Sequence, residues 1–81
     1  MYLYILESQK DKTHYVGIAH DVGARINYHN AGRVKSTKNK VPWIVVYTES
    51  HKNVQEARNR EKYFKSYKGV REKRQIINNL R

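Results

Sequence analysis

Cysteine is absent from this 81-residue chain. No disulfide can brace it and no thiolate can hold a metal, and that absence fits a reducing compartment. Acidic residues are scarce: seven Asp and Glu stand against 17 Lys and Arg, a formal net charge of +10. No apolar run is long enough to span a bilayer. The opening MYLYIL has neither a basic n-region nor a cleavage site, so it does not read as a signal peptide. Internal repeats, low-complexity tracts and linkers are missing too. These absences lead to one expectation: a single domain over residues 1–81, built on one modest core, cytoplasmic and without membrane contact.

The charge that is present points outward. Self-repulsion at this density costs stability unless a polyanion relieves it, and nucleic acid is the expected partner. An anionic membrane surface would also attract cations. Its usual vehicle is a lone basic helix with a bulky apolar face, and the apolar residues here are spread too evenly for that.

Residues 2–6, YLYIL, alternate and are rich in β-formers, which predicts a strand with Tyr2, Tyr4 and Leu6 on one face and Leu3 and Ile5 on the other. Residues 14–18, HYVGI, predict a second strand, and the short polar link between the two predicts an antiparallel hairpin. Asp21 can cap a helix running to about Asn30, with Val22, Ile26 and His29 on one side and Gly32 as a left-handed C-cap. A basic loop, RVKSTKNK, leads to Pro42 and a buried third strand over Trp43–Thr48. Asn53 can cap a second helix. Gly69 is expected to end it, and a last helix over roughly 70–80 would present Val70, Ile77 and Leu80 inward. The order β-β-α-β-α-α predicts an α+β fold, a small three-stranded antiparallel sheet flanked by helices.

One residue disturbs this pattern. In VQEARNREKYFKSY, residues 54–67, a helix puts Val54, Ala57, Phe64 and Tyr67 on one side, and Glu61 falls within that side. A carboxylate turned inward is costly unless it is paired or holds a metal. The first helix offers Arg25 and His29, four apart at the border of its apolar face. The strands offer Tyr4 and Tyr15, and Gly17 in the second strand marks a bulge or a close approach. Taken singly, each has an ordinary structural use. The tyrosines pack across strands, Arg25 and His29 decorate a helix edge, and Glu61 pairs with Arg58 or Lys65. His14, His20 and His51 have no comparable company.

Taken together, the two tyrosine-bearing strands Leu3-Tyr4-Ile5 and Tyr15-Val16-Gly17, Arg25 ten residues later, His29 in YHNAG and a glutamate in a later helix resemble the GIY-YIG nuclease family. The resemblance covers about residues 2–67. It is strongest to small stand-alone members similar to the nuclease half of structure-specific endonucleases and to the N-terminal nuclease domain of the excision-repair incision subunit. PWIVVY and EARNREKYFK suit that subgroup. The first motif here lacks the glycine and the second has Val for Ile; neither change removes a functional group. By position, the resemblance implies Tyr4, Tyr15, Arg25, His29 and Glu61 as the catalytic set, with Glu61 as the ligand of one Mg²⁺ (or Mn²⁺). It also implies a three-stranded antiparallel sheet flanked by helices.

The implied reaction is metal-dependent hydrolysis of DNA phosphodiester bonds, in repair or recombination. The ion would polarise the phosphate and help the leaving 3′ oxygen, and Arg25 would grip the non-bridging oxygens. Tyr4 would accept the water proton, with His29 passing it on or orienting the water, and Tyr15 positioning the phosphate or sharing the base role. A free tyrosine has a pKa near 10, so Arg25 and the general positive field are expected to draw Tyr4 downward. Outside this set, Lys35, Lys38 and Lys40 in the basic loop and Lys65, Lys68 and Arg71 near the last helices form a nucleic-acid-binding layer, joined by Lys73 and Arg74. Tyr63 and Tyr67 are placed to stack on bases. The expected substrate is branched or partly single-stranded DNA, with a partner protein able to add binding surface. The same basic surface fits two other classes: a non-catalytic nucleic-acid binder, RNA included, and an interaction module completed by a partner chain.

Overall fold

The computed structural model describes residues 1–80. Its elements run β1 (Tyr2–Ser8), β2 (His14–Ala19), α1 (Val22–Asn30), a short 3₁₀ turn (Lys38–Lys40), β3 (Trp43–Ser50), α2 (Val54–Phe64) and α3 (Tyr67–Asn79). The fold is α+β, in the predicted order. The three strands form an antiparallel sheet in the order β2-β1-β3, so the most apolar strand is central.

Because successive side chains of a strand point to opposite faces, β1 builds two cores at once. Leu3 and Ile5 join Val16, Phe64 and Ile77 under α2 and α3. Tyr4 and Leu6 join Trp43, with Val22 and Ile26 of α1 packed against them. Leu3, Ile5, Leu6 and Phe64 are fully buried. At roughly 1.5–3 kcal/mol for each such side chain, these few residues carry much of the apolar stabilisation of so small a domain.

The caps follow the sequence. Asp21 Oδ1 accepts from the Ala24 amide at 3.0 Å, and Asn53 Oδ1 accepts from the Glu56 amide at 2.8 Å. Gly32, at φ +76°, turns the chain after α1 as the left-handed residue it was expected to be.

Three expectations need correction. The third strand was expected to be buried, but β3 is an edge strand. Trp43 is buried while Ile44 and Val45 are exposed, and an irregularity in the pairing with β1 between Ile5 and Leu6 shifts the register there. Gly69 does not break the helix. The break falls at Lys65–Ser66, where Ser66 caps α3 by accepting from the Gly69 amide. Gly69 lies buried in the first turn of α3, so close to the end of α2 that a Cβ there would run into the Tyr63 carbonyl. Finally, Tyr67 opens α3 and is almost fully exposed, and Leu80 is exposed as well, so neither belongs to an inner face.

Candidate active site

Tyr4 sits on the central strand with its ring across the neighbouring strand. Its register partner on β2 is Gly17, and a Cβ on that glycine would lie 2.5 Å from the Tyr4 hydroxyl and 2.6 Å from ring carbon Cζ. The strand glycine is therefore a close-approach glycine. It lets a phenol lie flat over β2 and reach α1.

There the Tyr4 hydroxyl meets His29 Nε2 at 2.9 Å, and His29 Nδ1 meets Thr37 Oγ1 at 2.8 Å. His29 and Thr37 are fully buried and Tyr4 is 1% exposed. The α1 stripe Val22, Ile26, His29 delivers the imidazole, since residues at i, i+4 and i+7 share a helix face. Tyr15, half-buried on β2, places its ring edge-on to His29 with centroids 5.1 Å apart and edge-on to Trp43 at 6.4 Å.

Three further groups act on Tyr4. The Arg25 guanidinium lowers its pKa, while the charges of Tyr15 and Glu61 raise it. Thus α1, β2 and α2 each bring a polar group to bear on the one phenol of β1. Burial outweighs them all and moves the Tyr4 pKa above its ordinary value. This corrects the expectation of a phenol drawn downward by cations. Arg25 pulls in the expected sense, but a hydroxyl this deeply buried stays protonated unless a neighbour takes its proton. Burial, and secondarily the Arg25 charge, lowers the His29 pKa, which keeps the imidazole neutral.

Glu61 is half-buried, with its side chain 22% exposed, and its Oε2 lies 3.4 Å from Lys65 Nζ. The local i,i+4 pair with Lys65 is present, and the carboxylate is part-covered rather than buried in the core. No group of three or more His, Cys, Asp or Glu side chains able to hold a metal ion exists among the described residues.

Arg25 also stacks on the exposed Tyr28 ring at 5.1 Å, with Arg33 near the same ring at 5.8 Å. Among the described residues, only Lys40, Arg60 and Lys65 of the Lys and Arg side chains reach a carboxylate. Lys40 pairs with Asp11 at 3.4 Å. Of the six basic residues expected to bind nucleic acid, Lys35, Lys38, Lys68 and Arg71 are therefore exposed without a carboxylate partner, whereas Lys40 and Lys65 are paired.

Sequence reasoning missed two residues that build this site. Thr37 looked like one polar residue in a basic loop. Asn30 looked like the last residue of a helix, yet its side chain accepts from the Trp43 amide at 2.7 Å and donates to the Trp43 carbonyl at 3.0 Å. Neither position has a periodic signal. Only the packing of Trp43, whose indole N–H donates to the Thr37 carbonyl at 2.9 Å, brings the loop under α1.

Comparison with known proteins gives an independent result. The model of the GIY-YIG catalytic domain matches residues 1–75. The chain is 40% identical over 65 residues to the UPF0213 protein SAG0778 of Streptococcus agalactiae, covering 79% of this chain and 73% of that protein. It is 40% identical over 67 residues to the UPF0213 protein SH2523 of Staphylococcus haemolyticus, covering 82% and 80%. The UPF0213 protein BCE33L0031 of Bacillus cereus is 35% identical over 63 residues, covering 76% and 65%. No solved structure matches the chain.

Proposed function

We propose a function from one premise: this chain belongs to the GIY-YIG family. Membership supports a nuclease-type function, and we take the finer reading to be a metal-dependent endonuclease that hydrolyses DNA phosphodiester bonds in repair or recombination. The single observation that carries it is the convergence on Tyr4: a buried phenol at 2.9 Å from a neutral imidazole, within electrostatic reach of Arg25, Tyr15 and Glu61.

The donor set fits a divalent ion of one kind. A lone half-buried carboxylate cannot cage a metal by itself, but Mg²⁺ keeps several waters and takes phosphate oxygens as ligands, so Glu61 with bound DNA suffices. Mn²⁺ would serve in its place. When bound, the ion supplies charge neutralisation at the phosphate and at the leaving oxygen. Arg25 holds the non-bridging oxygens and offsets the charge that develops there. Tyr4 receives the proton of the attacking water, Tyr15 positions the phosphate, and His29 is the proton acceptor behind Tyr4.

The exposed cations Lys35, Lys38, Lys68 and Arg71 supply non-specific phosphate contacts, which set register without reading sequence. Lys40 and Lys65 join them by exchanging a weak exposed pair for a DNA phosphate. The exposed Tyr63 and Tyr67 rings suit unpaired bases, so branched or partly single-stranded DNA is the substrate proposed, with a partner protein able to extend the surface. No helix among the described residues is long and apolar enough to cross a membrane.

The test is a panel of plasmid, hairpin, flap and four-way DNAs incubated with Mg²⁺ or Mn²⁺. Wild-type protein is expected to cut at least one of them only with metal. Glu61→Ala is expected to lose at least about 100-fold in rate, the loss typical of removing a principal charge-stabilising element, while still binding DNA. Binding to every substrate with cleavage of none would instead mark a non-catalytic binder.

A further inference from the structure

We propose that Thr37 is a positioning residue: it fixes which nitrogen of His29 faces Tyr4, and thereby gives the buried phenol a place to send its proton. This rests on the nuclease reading above and adds to it a residue from the loop between α1 and β3.

The argument follows the hydrogens. A threonine hydroxyl has one proton to donate and lone pairs to accept. Thr37 Oγ1 lies 3.4 Å from the Val34 carbonyl oxygen, which can only accept and which also takes the Thr37 and Lys38 amides, and we assign the hydroxyl proton to that oxygen rather than to His29. The hydroxyl oxygen then accepts at 2.8 Å from His29, which places a proton on Nδ1. A neutral imidazole has one ring proton, so Nε2 offers a lone pair to the Tyr4 hydroxyl at 2.9 Å. The chain of donors runs one way, from the phenol to the imidazole, the threonine and a backbone carbonyl.

The threonine is itself fixed from three sides. Its carbonyl accepts from the Trp43 indole at 2.9 Å and from the Lys40 amide at 3.1 Å, and its own amide donates to Val34 at 3.1 Å. Trp43 is locked in turn by both ends of the Asn30 amide. Without the hydroxyl, a buried Nδ1–H would have no partner. The imidazole would then favour the other tautomer, aim an N–H at the Tyr4 oxygen, and leave the phenol proton without an acceptor.

The proton balance is complete. The attacking water gives its proton to the Tyr4 oxygen as its own oxygen bonds to phosphorus, and the bond from phosphorus to the 3′ oxygen breaks. Tyr4 passes its original proton to His29 Nε2, leaving a neutral phenol and an imidazolium held by Thr37. The departing oxygen takes a proton from solvent, and the imidazolium returns its own to solvent after release.

Two measurements on the full chain test this. Long-range ¹H–¹⁵N correlation spectra of the wild type are expected to show His29 neutral with the proton on Nδ1; a proton on Nε2 overturns the proposal. Thr37→Val, nearly isosteric, is expected to shift His29 toward the Nε2–H tautomer and to lower kcat about 10- to 100-fold, the range typical when an orienting partner is removed. KM for DNA should stay within about twofold, since no DNA contact is lost. Thr37→Ser is expected to restore both the tautomer and the rate. A Thr37→Val protein with wild-type tautomer and wild-type kcat would sink the idea. If that variant fails to fold, the wild-type spectrum still decides. If the wild type cuts no DNA, the nuclease reading fails, and the tautomer measurements separately support or overturn the role of Thr37.

Discussion

The two faces of the sheet treat histidine in opposite ways. On the α1 face, His29 is fully buried between two neutral hydroxyls, Tyr4 and Thr37, and burial lowers its pKa. On the α2/α3 side, His51 lies between Glu56 at 2.9 Å and Glu49 at 3.0 Å, and those carboxylates raise its pKa. The second network continues through Arg60, which bonds Glu49 at 2.7 Å, reaches Glu72, and stacks over Phe64 at 4.2 Å. Three of the scarce acids, Glu49, Glu56 and Glu72, are thus held in a structural network away from α1, while Arg25, Arg33, Lys35 and Lys38 keep no carboxylate. A polyanion arriving beside Tyr4 would meet uncompensated cations and would break none of the pairs that hold α2 and α3 together.

Matched glycines on the two sides give the largest contrast. At Gly69 an added methyl meets the Tyr63 backbone carbonyl, which cannot move without displacing the end of α2. Gly69→Ala is expected to cost about 1–3 kcal/mol or more by overpacking. At Gly17 the methyl meets only the far end of the Tyr4 side chain. Gly17→Ala should cost less stability but swing the phenol off His29, so cleavage should fall far more than the unfolding midpoint. Urea unfolding and cleavage rates measured together check this. Equal stability losses, with cleavage preserved in Gly17→Ala, would break the contrast.

Salt separates the two networks next. Tyr4→Phe leaves the buried His29 Nε2 without its partner, an expected loss of about 1–3 kcal/mol. Arg60→Met keeps an apolar side chain over Phe64 and removes only the charge, an expected loss of about 1 kcal/mol at low ionic strength. In 1 M salt the screening length falls to about 3 Å, so the Arg60→Met deficit should shrink while the Tyr4→Phe deficit persists. Denaturant melts at 0.05 and 1 M sodium chloride measure both. A Tyr4→Phe deficit that vanishes in salt would show that the α1 face is held by charge after all.

This contrast also explains what could be read in the sequence. Period and caps, because they are local, located the three strands and the three helices, though neither the 3₁₀ turn nor the boundary between α2 and α3. The signals were alternation in YLYIL, Asp21 and Asn53 as caps, and Gly32 after α1. The ordered set Tyr4, Tyr15, Arg25, His29, Glu61 was legible as a resemblance; His29 bonds Tyr4 directly, and Tyr15, Arg25 and Glu61 act on it electrostatically. What was hidden depends on distant partners. Gly69 looked like a breaker because its true constraint is a carbonyl on another helix. The edge position of β3 could not be read from WIVVY, whose composition suits a buried strand. The direction of the Tyr4 shift turned on depth, and depth is a property of the packed fold. Thr37 carries no local signal at all, since its role is conferred by Trp43 and Asn30.

The smallest expected effect is the pH response of His51, and its sign tests the comparison most directly. A folded-state pKa raised above the ordinary value near 6.5 means that the native state holds a proton the unfolded chain has released. The stability from His51 is therefore fully present below about pH 6.5 and is lost as the pH rises through its higher folded value. His29 runs the other way, because its folded pKa is lowered: its contribution is present above about pH 6.5 and is lost as the pH falls below it. Glu49 and Glu56, both lowered, lose their share only on further acidification, toward and below the ordinary glutamate range. Between pH 6 and 8.5, then, replacing His51 by a neutral hydrogen-bonding residue isolates one sign. His51→Gln is expected to lower the melting temperature by a few degrees at pH 6, under about 1 kcal/mol for a rim contact, and by less at pH 8.5. A deficit that grows with pH would mean that His51 is held neutral like His29, and the two faces would then differ in depth alone.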